Sequence, residues 1–402
     1  MDNRRAFLKS MMLTALALPS TGMGSDGGIR RCASNEGMNF RRLGRTGIKI
    51  SEISLGGSPV PDWALMQQLA EQGVNYIDSS HTYQNGNSER MIGRLLKQMG
   101  RDRIHVGTKF HVRGNWDTEG IIKSVDGSLK RLGTDYLDVL LIHGPDSPEQ
   151  LTDDRVLEAF ERMKKDGKFR FKGFSCHGNH APLVEAAAES NQYDVIQLAY
   201  NIFDVEGTAN PETKMDDYLG QSGLRRLIRL ARTRDIGIIA MKTLKSGSKF
   251  QDLGFYAEGV YLHQAMIRWV LDNPNVSSVV TEIMTFEQME EDLAAVRKPL
   301  SRQEKSLLLR HVAENAGDYC HGCGTCLMEC PADIPVPDIL RFRAYLEIYG
   351  KKEMARRAYS RLSAGHRADS CRDCAACERN CGSLILSWPD REDAPEGSFK
   401  RR

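Results

Sequence analysis

The fold is decided by the stretch 74–83, which reads Val-Asn-Tyr-Ile-Asp-Ser-Ser-His-Thr-Tyr. It begins as a short apolar strand pattern and changes at Asp78 to a polar segment that ends at Tyr83. Three later apolar runs also end in residues that handle protons or hydrogen bonds: Lys109, His143 and Ser175. In a parallel barrel the carboxyl ends of all strands lie on one face, where (β/α)₈ enzymes keep their active sites. We therefore expect Asp78, Tyr83, Lys109 and His143 to converge.

Eight apolar, strand-like runs alternate with segments of helical periodicity between residues 38 and 300. The runs are 53–57, 74–78, 105–109, 139–143, 173–175, 195–200, 237–242 and 277–280. Eight alternations over about 250 residues are typical of one (β/α)₈ TIM barrel, an α/β fold. A hairpin from Phe40 to Ile50 is expected to close its floor. The rival, a doubly wound sheet, usually carries G-x-G-x-x-G after its first strand, and that position reads Leu-Gly-Gly-Ser-Pro at 55–59.

The amino end, residues 1–37, is predicted to be a signal peptide and spacer. Arg4 and Arg5 precede a mildly apolar run from Met11 to Leu18, which is too short to span a bilayer. This order of zones is typical of a secretory signal, and the arginine pair indicates the twin-arginine type. The alternative is a basic end before an amphipathic helix. The signal predicts a periplasmic or other extracytoplasmic protein, without a membrane span in the mature chain.

The chain is long enough for one large domain and a smaller one, since it has 402 residues. Its net charge of +2 gives no indication of a nucleic-acid partner. Eight of its ten cysteines lie between positions 320 and 381. We therefore expect a barrel over 38–300, followed over 301–402 by a linking helix and a second, cysteine-rich domain.

The eight cysteines form two C-x₂-C-x₂-C-x₃-C runs, the spacing of bacterial ferredoxins. In that pattern the fourth cysteine of each run binds the other cluster. One [4Fe–4S] cluster is thus predicted on Cys320, Cys323, Cys326 and Cys381, and a second on Cys371, Cys374, Cys377 and Cys330. Zinc sites and disulfides are the alternatives, but zinc usually takes two C-x₂-C pairs. A helical segment over about 336–362 separates the runs, which predicts a small, mostly helical ferredoxin-like domain.

Asp78, Tyr83 five residues later, Lys109 and His143 resemble the tetrad of the aldo/keto reductase superfamily. The resemblance extends from residue 39 to about 296, and the tail from 301 to 389 resembles the branch that carries a C-terminal iron–sulfur module. It implies hydride transfer between a nicotinamide cofactor and a carbonyl or alcohol. Each of the four residues, taken singly, is equally typical of a strand-end cap or a packing contact.

The physical roles follow from carbonyl chemistry, which needs a hydride and a proton. Tyr83 is expected to be the general acid, and Lys109 to lower the pKa of its phenol. Asp78 is expected to keep Lys109 charged. His143 is expected to donate a hydrogen bond to the oxygen as negative charge develops.

Cofactor contacts are also implied by the resemblance. Ser175 and Gln197 match the positions that hold the nicotinamide amide, although the asparagine usual after the serine is Cys176 here. The loop at 242–247 carries Lys242 and Lys245 and suits a pyrophosphate; an exposed basic loop is the alternative.

The segment after the eighth strand, 281–292, departs from the family, because it has no Lys or Arg for the 2′-phosphate of NADP. Thr285 and Gln288 suit a capping box, and the acidic residues around them would repel an extra phosphate. NAD is therefore predicted over NADP, or weak dinucleotide binding.

Three functions remain open from the sequence. The first is an exported oxidoreductase that interconverts a carbonyl and an alcohol on a sugar-like or small polar substrate. The second is an iron–sulfur electron-transfer protein that serves a redox partner protein and uses the barrel as a docking or substrate platform. The third is a degenerate barrel with structural clusters.

Overall fold

A computed structural model of the chain describes residues 37–112, 116–203, 223–244, 261–315, 325–347 and 352–379. Eight parallel strands close into a barrel in the order β10-β3-β4-β5-β6-β7-β8-β9. Their bounds are β3 Ile53–Gly56, β4 Tyr76–Asp78, β5 His105–Phe110, β6 Leu137–His143, β7 Phe169–Cys176, β8 Val195–Ala199, β9 Gly237–Met241 and β10 Ser278–Thr281. The (β/α)₈ prediction is confirmed, and each expected run overlaps one of these strands.

An antiparallel hairpin, β1 (Phe40–Arg42) and β2 (Lys49–Ser51), precedes the barrel as predicted. Its apolar residues join the barrel's interior core, whose members are Leu43, Ile48, Ile50, Tyr76, Val139, Leu141, Val195 and Ile239. The guanidinium of Arg41 donates to the backbone carbonyls of Leu271 and Val276, at 2.8 and 2.9 Å, and to the carboxylate of Glu52. The hairpin therefore closes the end of the barrel opposite to the carboxyl ends of the strands.

Helices follow the strands along the chain. Their bounds are α1 Trp63–Glu71, α2 Asn87–Met99, α3 Thr118–Leu132, α4 Glu149–Thr152, α5 Asp154–Lys165, α6 His180–Ser190, α7 Gly223–Thr233, α8 Leu262–Leu271, α9 Phe286–Ala295 and α10 Arg302–Asn315. Gly133 ends α3 in the left-handed conformation, at φ +64°. Within the described ranges, no helix is both long and apolar enough to cross a membrane.

Strand side chains alternate between two cores, because successive residues point to opposite faces. On β6, for example, Val139 and Leu141 belong to the interior core, whereas Leu140 and Ile142 pack outward beneath the helices. Inside the barrel the phenol of Tyr76 crosses to β5, where a Cβ on Gly107 would lie 2.1 Å from its oxygen. This crossing requires glycine at 107, and it fills the space beneath the site described next.

The cysteine-rich domain is small and mostly helical in its described part. It contains α11 Thr325–Met328, α12 Val336–Glu347, α13 Lys352–Ser360 and α14 Ala376–Arg379. Its buried apolar cluster has five members: Cys326, Ile334, Val336, Ile339 and Ala368. The expected helical insert between the cysteine runs is thus present as two helices, α12 and α13.

Candidate active site and metal centre

Lys109 and Asp78 form a buried ion pair at the carboxyl end of the barrel. Asp78 is the last residue of β4, and Lys109 is the last but one of β5. Asp78 pairs with Gly107, and Lys109 follows Gly107 by two residues, so both side chains point into the barrel. The ammonium Nζ of Lys109 lies 2.5 Å from Asp78 Oδ1 and 2.8 Å from the carbonyl oxygen of Ser79. Burial lowers the pKa of Lys109, and the Asp78 and Glu89 carboxylates oppose that shift. Asp78 therefore favours the charged form of Lys109.

Tyr83 lies over this pair. The Nζ of Lys109 is 5.2 Å from the centroid of the Tyr83 ring, and the ring meets His143 edge-on at 5.8 Å between centroids. The chain turns sharply after Tyr83, since Gln84 and Asn85 both have left-handed backbones at φ +50° and +54°. The structure thus brings the four predicted side chains to one place, while their chemical roles stay predictions.

His143 ends β6 in a crowded environment. Its Nδ1 is 3.2 Å from the hydroxyl of Ser80, and its ring stacks on His111 with centroids 4.3 Å apart. Burial, together with charge on His111, Lys109, His177 and His81, holds the pKa of His143 well below its ordinary value of 6.5. His143 is therefore a neutral imidazole at neutral pH, and it can donate one hydrogen bond without carrying charge.

His81 and His111 are two further site residues that the sequence reasoning missed. The Nδ1 of His81 donates to the carbonyl of Lys109 at 2.9 Å, and that of His111 donates to the carbonyl of His143 at 3.2 Å. The two rings meet edge-on at 5.5 Å, and Trp116 lies 6.4 Å from His81. Their positions, three residues after Asp78 and two after Lys109, are the signal that could have found them.

Ser175 and Gln197 lie side by side in the barrel, because β7 and β8 pair them in register. Both are 1% exposed. The Nε2 of Gln197 lies 3.8 Å from the sulfur of Met241, and its Oε1 has no hydrogen-bond partner among the described residues. A buried amide oxygen normally has a partner. The pair therefore fits the carboxamide of a nicotinamide, whose NH₂ group would donate to Gln197 Oε1.

Cys176 and Tyr200 point away from this site. Cys176 alternates with Ser175 on β7 and packs in the outer core, where burial raises the pKa of its thiol to about 12. Tyr200 follows β8, is fully buried, contacts the ring of Trp269 and accepts a hydrogen bond from Arg225. Neither side chain takes the place of the missing asparagine.

Lys242 follows β9 directly, with a left-handed backbone at φ +58°. It is half-buried, and Thr243 beside it is buried. The other predicted pyrophosphate contact, Lys245, lies outside the described residues. The proposed phosphate loop is therefore seen only at its first residues.

The amino end of α9 is capped by its own side chains. Thr285 accepts a hydrogen bond from the backbone N–H of Gln288 at 3.2 Å, and Gln288 accepts one from the backbone N–H of Met284 at 2.7 Å. The exposed residues of this turn include Glu282 and Glu287. Two of the N–H groups that could bind an anion are thus already occupied, and acidic side chains flank them.

Four cysteines line a single cavity in the second domain: Cys330, Cys371, Cys374 and Cys377. They are the four ligands that the spacing assigns to the second cluster, and all four are free thiols. The pKa of Cys377 is raised by burial and by the neighbouring Glu378, Cys371 and Cys330. Thiolates gathered in this way repel one another, and a cationic iron–sulfur core relieves that repulsion. The cavity therefore fits an iron–sulfur cluster.

Backbone amides already point at two of these sulfurs. The N–H of Ile334 donates to Cys330 Sγ and that of Asp373 to Cys371 Sγ, both at 3.4 Å. Amide hydrogen bonds to ligand sulfur help to set the potential of iron–sulfur clusters. In the described part of the chain, no three Cys, His, Asp or Glu side chains converge as they would on a single metal ion. Of the four cysteines predicted to bind the first cluster, Cys326 is buried at α11. The other three, Cys320, Cys323 and Cys381, lie outside the described residues.

The fold and this site define an oxidoreductase barrel joined to an iron–sulfur module. Comparison with protein families supports both parts: residues 59–254 match the aldo/keto reductase family and residues 319–385 match the 4Fe-4S dicluster domain. The chain is thus an aldo/keto reductase-like oxidoreductase, with an aldo/keto reductase domain followed by a 4Fe-4S dicluster domain.

Known proteins resemble the barrel part. L-galactose dehydrogenase of Arabidopsis thaliana is 29% identical over 293 residues, which cover 64% of this chain and 88% of that protein. A protein of Schizosaccharomyces pombe assigned as a voltage-gated potassium channel subunit beta is 27% identical over 308 residues, with coverages of 64% and 88%. The crystal structure of an aldo/keto reductase from Klebsiella pneumoniae, in complex with NADP and acetate, has a TM-score of 0.54 at 22% identity, with coverages of 68% and 95%. That last likeness shows the fold.

Proposed function

We propose that the protein is an exported oxidoreductase that interconverts a carbonyl and an alcohol with a nicotinamide cofactor. The observation that carries this proposal is the arrangement at the barrel mouth. The Lys109–Asp78 pair, Tyr83 and His143 lie together there. The buried amide oxygen Oε1 of Gln197, on β8, has no hydrogen-bond donor among the described residues. Tyr83 is a proton donor, Lys109 a positive charge and His143 a neutral hydrogen-bond donor, and the three surround one small space.

Each side chain has a task in the reduction. A nicotinamide held by Ser175 and Gln197 would supply the hydride. Tyr83 gives its phenolic proton to the carbonyl oxygen, and the nearby ammonium of Lys109 stabilises the phenolate that remains. His143 donates a hydrogen bond to the same oxygen as negative charge develops on it. In the oxidation direction the phenolate takes the hydroxyl proton back.

The proposed cofactor is NAD in preference to NADP. Ser175 and Gln197 would hold the carboxamide, and Lys242 with Lys245 would meet the pyrophosphate. The capped, acidic amino end of α9 supports NAD, because two of its N–H groups are already occupied and the segment 281–292 offers no positive charge to a 2′-phosphate. The Klebsiella pneumoniae structure contains NADP; this chain would differ from it in that respect.

A polyhydroxylated or small polar substrate is proposed. One relative is an L-galactose dehydrogenase, and the mouth of this barrel carries rings of three residues: His81, His111 and Trp116. Such rings combine flat apolar faces with hydrogen-bonding edges, a combination that suits a sugar.

Export by the twin-arginine route is proposed from Arg4 and Arg5, which lie outside the described residues. A chain that binds its clusters in the cytoplasm must cross the membrane folded, which this route permits. Replacement of both arginines by lysine should retain the protein in the cytoplasm of a cell that has the route. Unchanged export of this variant would contradict the proposal.

The function is tested on protein purified without oxygen. Glyceraldehyde with NADH or NADPH probes reduction, and L-galactose with NAD probes oxidation. We expect turnover in at least one direction, tighter binding of NADH than NADPH, and loss of turnover in Tyr83→Phe. No binding of either nucleotide would contradict the proposal.

Electron transfer is the second candidate, and the cysteine-lined cavity is the observation that favours it. In that case, substrate or a partner protein would bleach the visible absorption of the clusters without any nucleotide. Clusters that stay unchanged under every addition would instead indicate a structural role.

A further inference from the structure

Ser80 is the polar neighbour of His143 at the proposed site. Its hydroxyl oxygen lies 3.2 Å from His143 Nδ1 and 3.1 Å from the hydroxyl of Thr82, and it also accepts from the backbone N–H of Thr82 at 3.4 Å. Ser80 is fully buried. Because Nδ1 faces Ser80, the remaining ring nitrogen, Nε2, is the one that can address a substrate oxygen.

Two arrangements of the hydrogen atoms satisfy these contacts. In the first, Ser80 donates to His143 Nδ1 and accepts from both the hydroxyl and the backbone N–H of Thr82. In the second, His143 Nδ1–H donates to Ser80, and Ser80 donates to the Thr82 hydroxyl. A neutral imidazole carries one proton, so the first arrangement places it on Nε2 and the second removes it from Nε2.

We propose that Ser80 is a positioning residue, whose hydroxyl donates to His143 Nδ1 and so keeps the imidazole proton on Nε2. This inference rests on the proposed function for its choice between the two arrangements. Only a protonated Nε2 can donate to a carbonyl oxygen on which negative charge develops. The second arrangement would direct a lone pair at that oxygen.

The surroundings of His143 make this device useful. The charged or titratable groups around it come from three segments: Lys109 and His111 at the end of β5, His81 and Tyr83 after β4, and His177 after β7. Those that carry charge on protonation disfavour a second proton on His143. The ring therefore works as a neutral donor, and only its tautomer decides whether the donor faces the substrate.

The test is a long-range ¹H–¹⁵N correlation spectrum of the holoprotein labelled with ¹⁵N-histidine, at neutral pH. His143→Gln identifies the resonances. In the wild type we expect the proton on Nε2 and a hydrogen-bonded, unprotonated Nδ1. In Ser80→Ala we expect the Nδ1 resonance to shift, because its hydrogen bond is lost. A wild-type ring with its proton on Nδ1 would overturn the proposal, as would an unchanged Nδ1 resonance in Ser80→Ala.

Thr82→Ala is the matched control, since it removes the other hydroxyl in contact with Ser80. We expect the same His143 tautomer as in the wild type. If the hydrogen bonds run the other way, this variant removes the acceptor of the Ser80 proton, and the His143 tautomer changes. That result would also overturn the proposal.

Kinetics give a second readout. Ser80→Ala should lower kcat by about fivefold, the order expected for one lost hydrogen bond, with KM for the nucleotide unchanged. The acid limb of its pH profile should move to higher pH, because a donor to Nδ1 stabilises the neutral ring. A wild-type protein without any turnover would refute the proposed function. The tautomer of His143 is measured without turnover, so it tests the role of Ser80 separately.

Discussion

The barrel mouth and the cysteine cavity each gather side chains that are distant in sequence, but they are held differently. Asp78, Lys109 and His143 end strands that are packed between an interior core and an outer core. The cavity rests on a core of five residues, with Cys374 exposed and its three partners half-buried. The chain alone builds the first site. Within residues 325–347 and 352–379, the second site has a much smaller apolar core than the barrel. Small domains of this kind usually depend on bound metal.

Iron removal should separate the two regions most strongly. Chelation of iron without oxygen should unfold the second domain, because the bound clusters are the main link between its segments. The barrel should keep its own thermal transition. Hydrogen exchange measured peptide by peptide would show lost protection in 325–379 and unchanged protection in the barrel strands. Equal loss of protection in the barrel and in 325–379 would contradict the claim that only the second domain depends on iron.

Tyr83→Phe should lower kcat by about 10²- to 10⁴-fold, the range for general acid–base catalysis. Nucleotide binding should stay, because the phenyl ring is retained. Tyr136→Phe is the matched control, since it removes the same hydroxyl from a ring that packs against Arg101 before β6. Equal activity of the two variants would remove Tyr83 from the mechanism.

Asp78→Asn should destabilise the barrel by about 3–5 kcal/mol, because it leaves the ammonium of Lys109 buried without its carboxylate. The double variant Asp78→Asn/Lys109→Met should regain part of that loss, as it removes the stranded charge. Urea unfolding of both variants gives the comparison. A single variant as stable as the wild type would show that the chain does not depend on this pair.

His143 should make barrel stability depend on pH. Its folded pKa lies well below the ordinary 6.5, so between those values the unfolded chain binds more protons than the folded one. Stability should therefore fall as pH falls below about 6.5. His143→Gln should flatten that slope, whereas His366→Gln, at an exposed position of the second domain, should leave it unchanged. A steeper slope in His143→Gln would reverse the sign of this account.

Glu287→Lys should produce the smallest effect, a few-fold gain in NADPH affinity over NADH. It exchanges an exposed negative charge for a positive one in the first turn of α9. Fluorescence titration with both nucleotides measures the ratio, and Glu353→Lys in the second domain is the control. An unchanged ratio of NADPH to NADH affinity would show that the 2′-phosphate does not bind at this turn.

Periodicity and spacing predicted much of the architecture, since each of the eight strands overlaps one of the predicted apolar runs. Convergence of Asp78, Lys109 and His143 followed from the parallel barrel alone. Contacts across loops could not be predicted in this way. The stack of His111 on His143 and the approach of Ser80 to Nδ1 depend on the paths of the βα loops, for which spacing provides no rule.

The central claim is that the barrel mouth transfers a hydride and the clusters do not. It is tested most directly with NADH deuterated at the transferred position, glyceraldehyde and protein purified without oxygen. The account predicts one deuterium on the former carbonyl carbon of the product. Formation of this labelled product should slow by about 10²- to 10⁴-fold in Tyr83→Phe and stay unchanged in Thr82→Ala. Product without deuterium, formed while the cluster absorption bleaches, would contradict it.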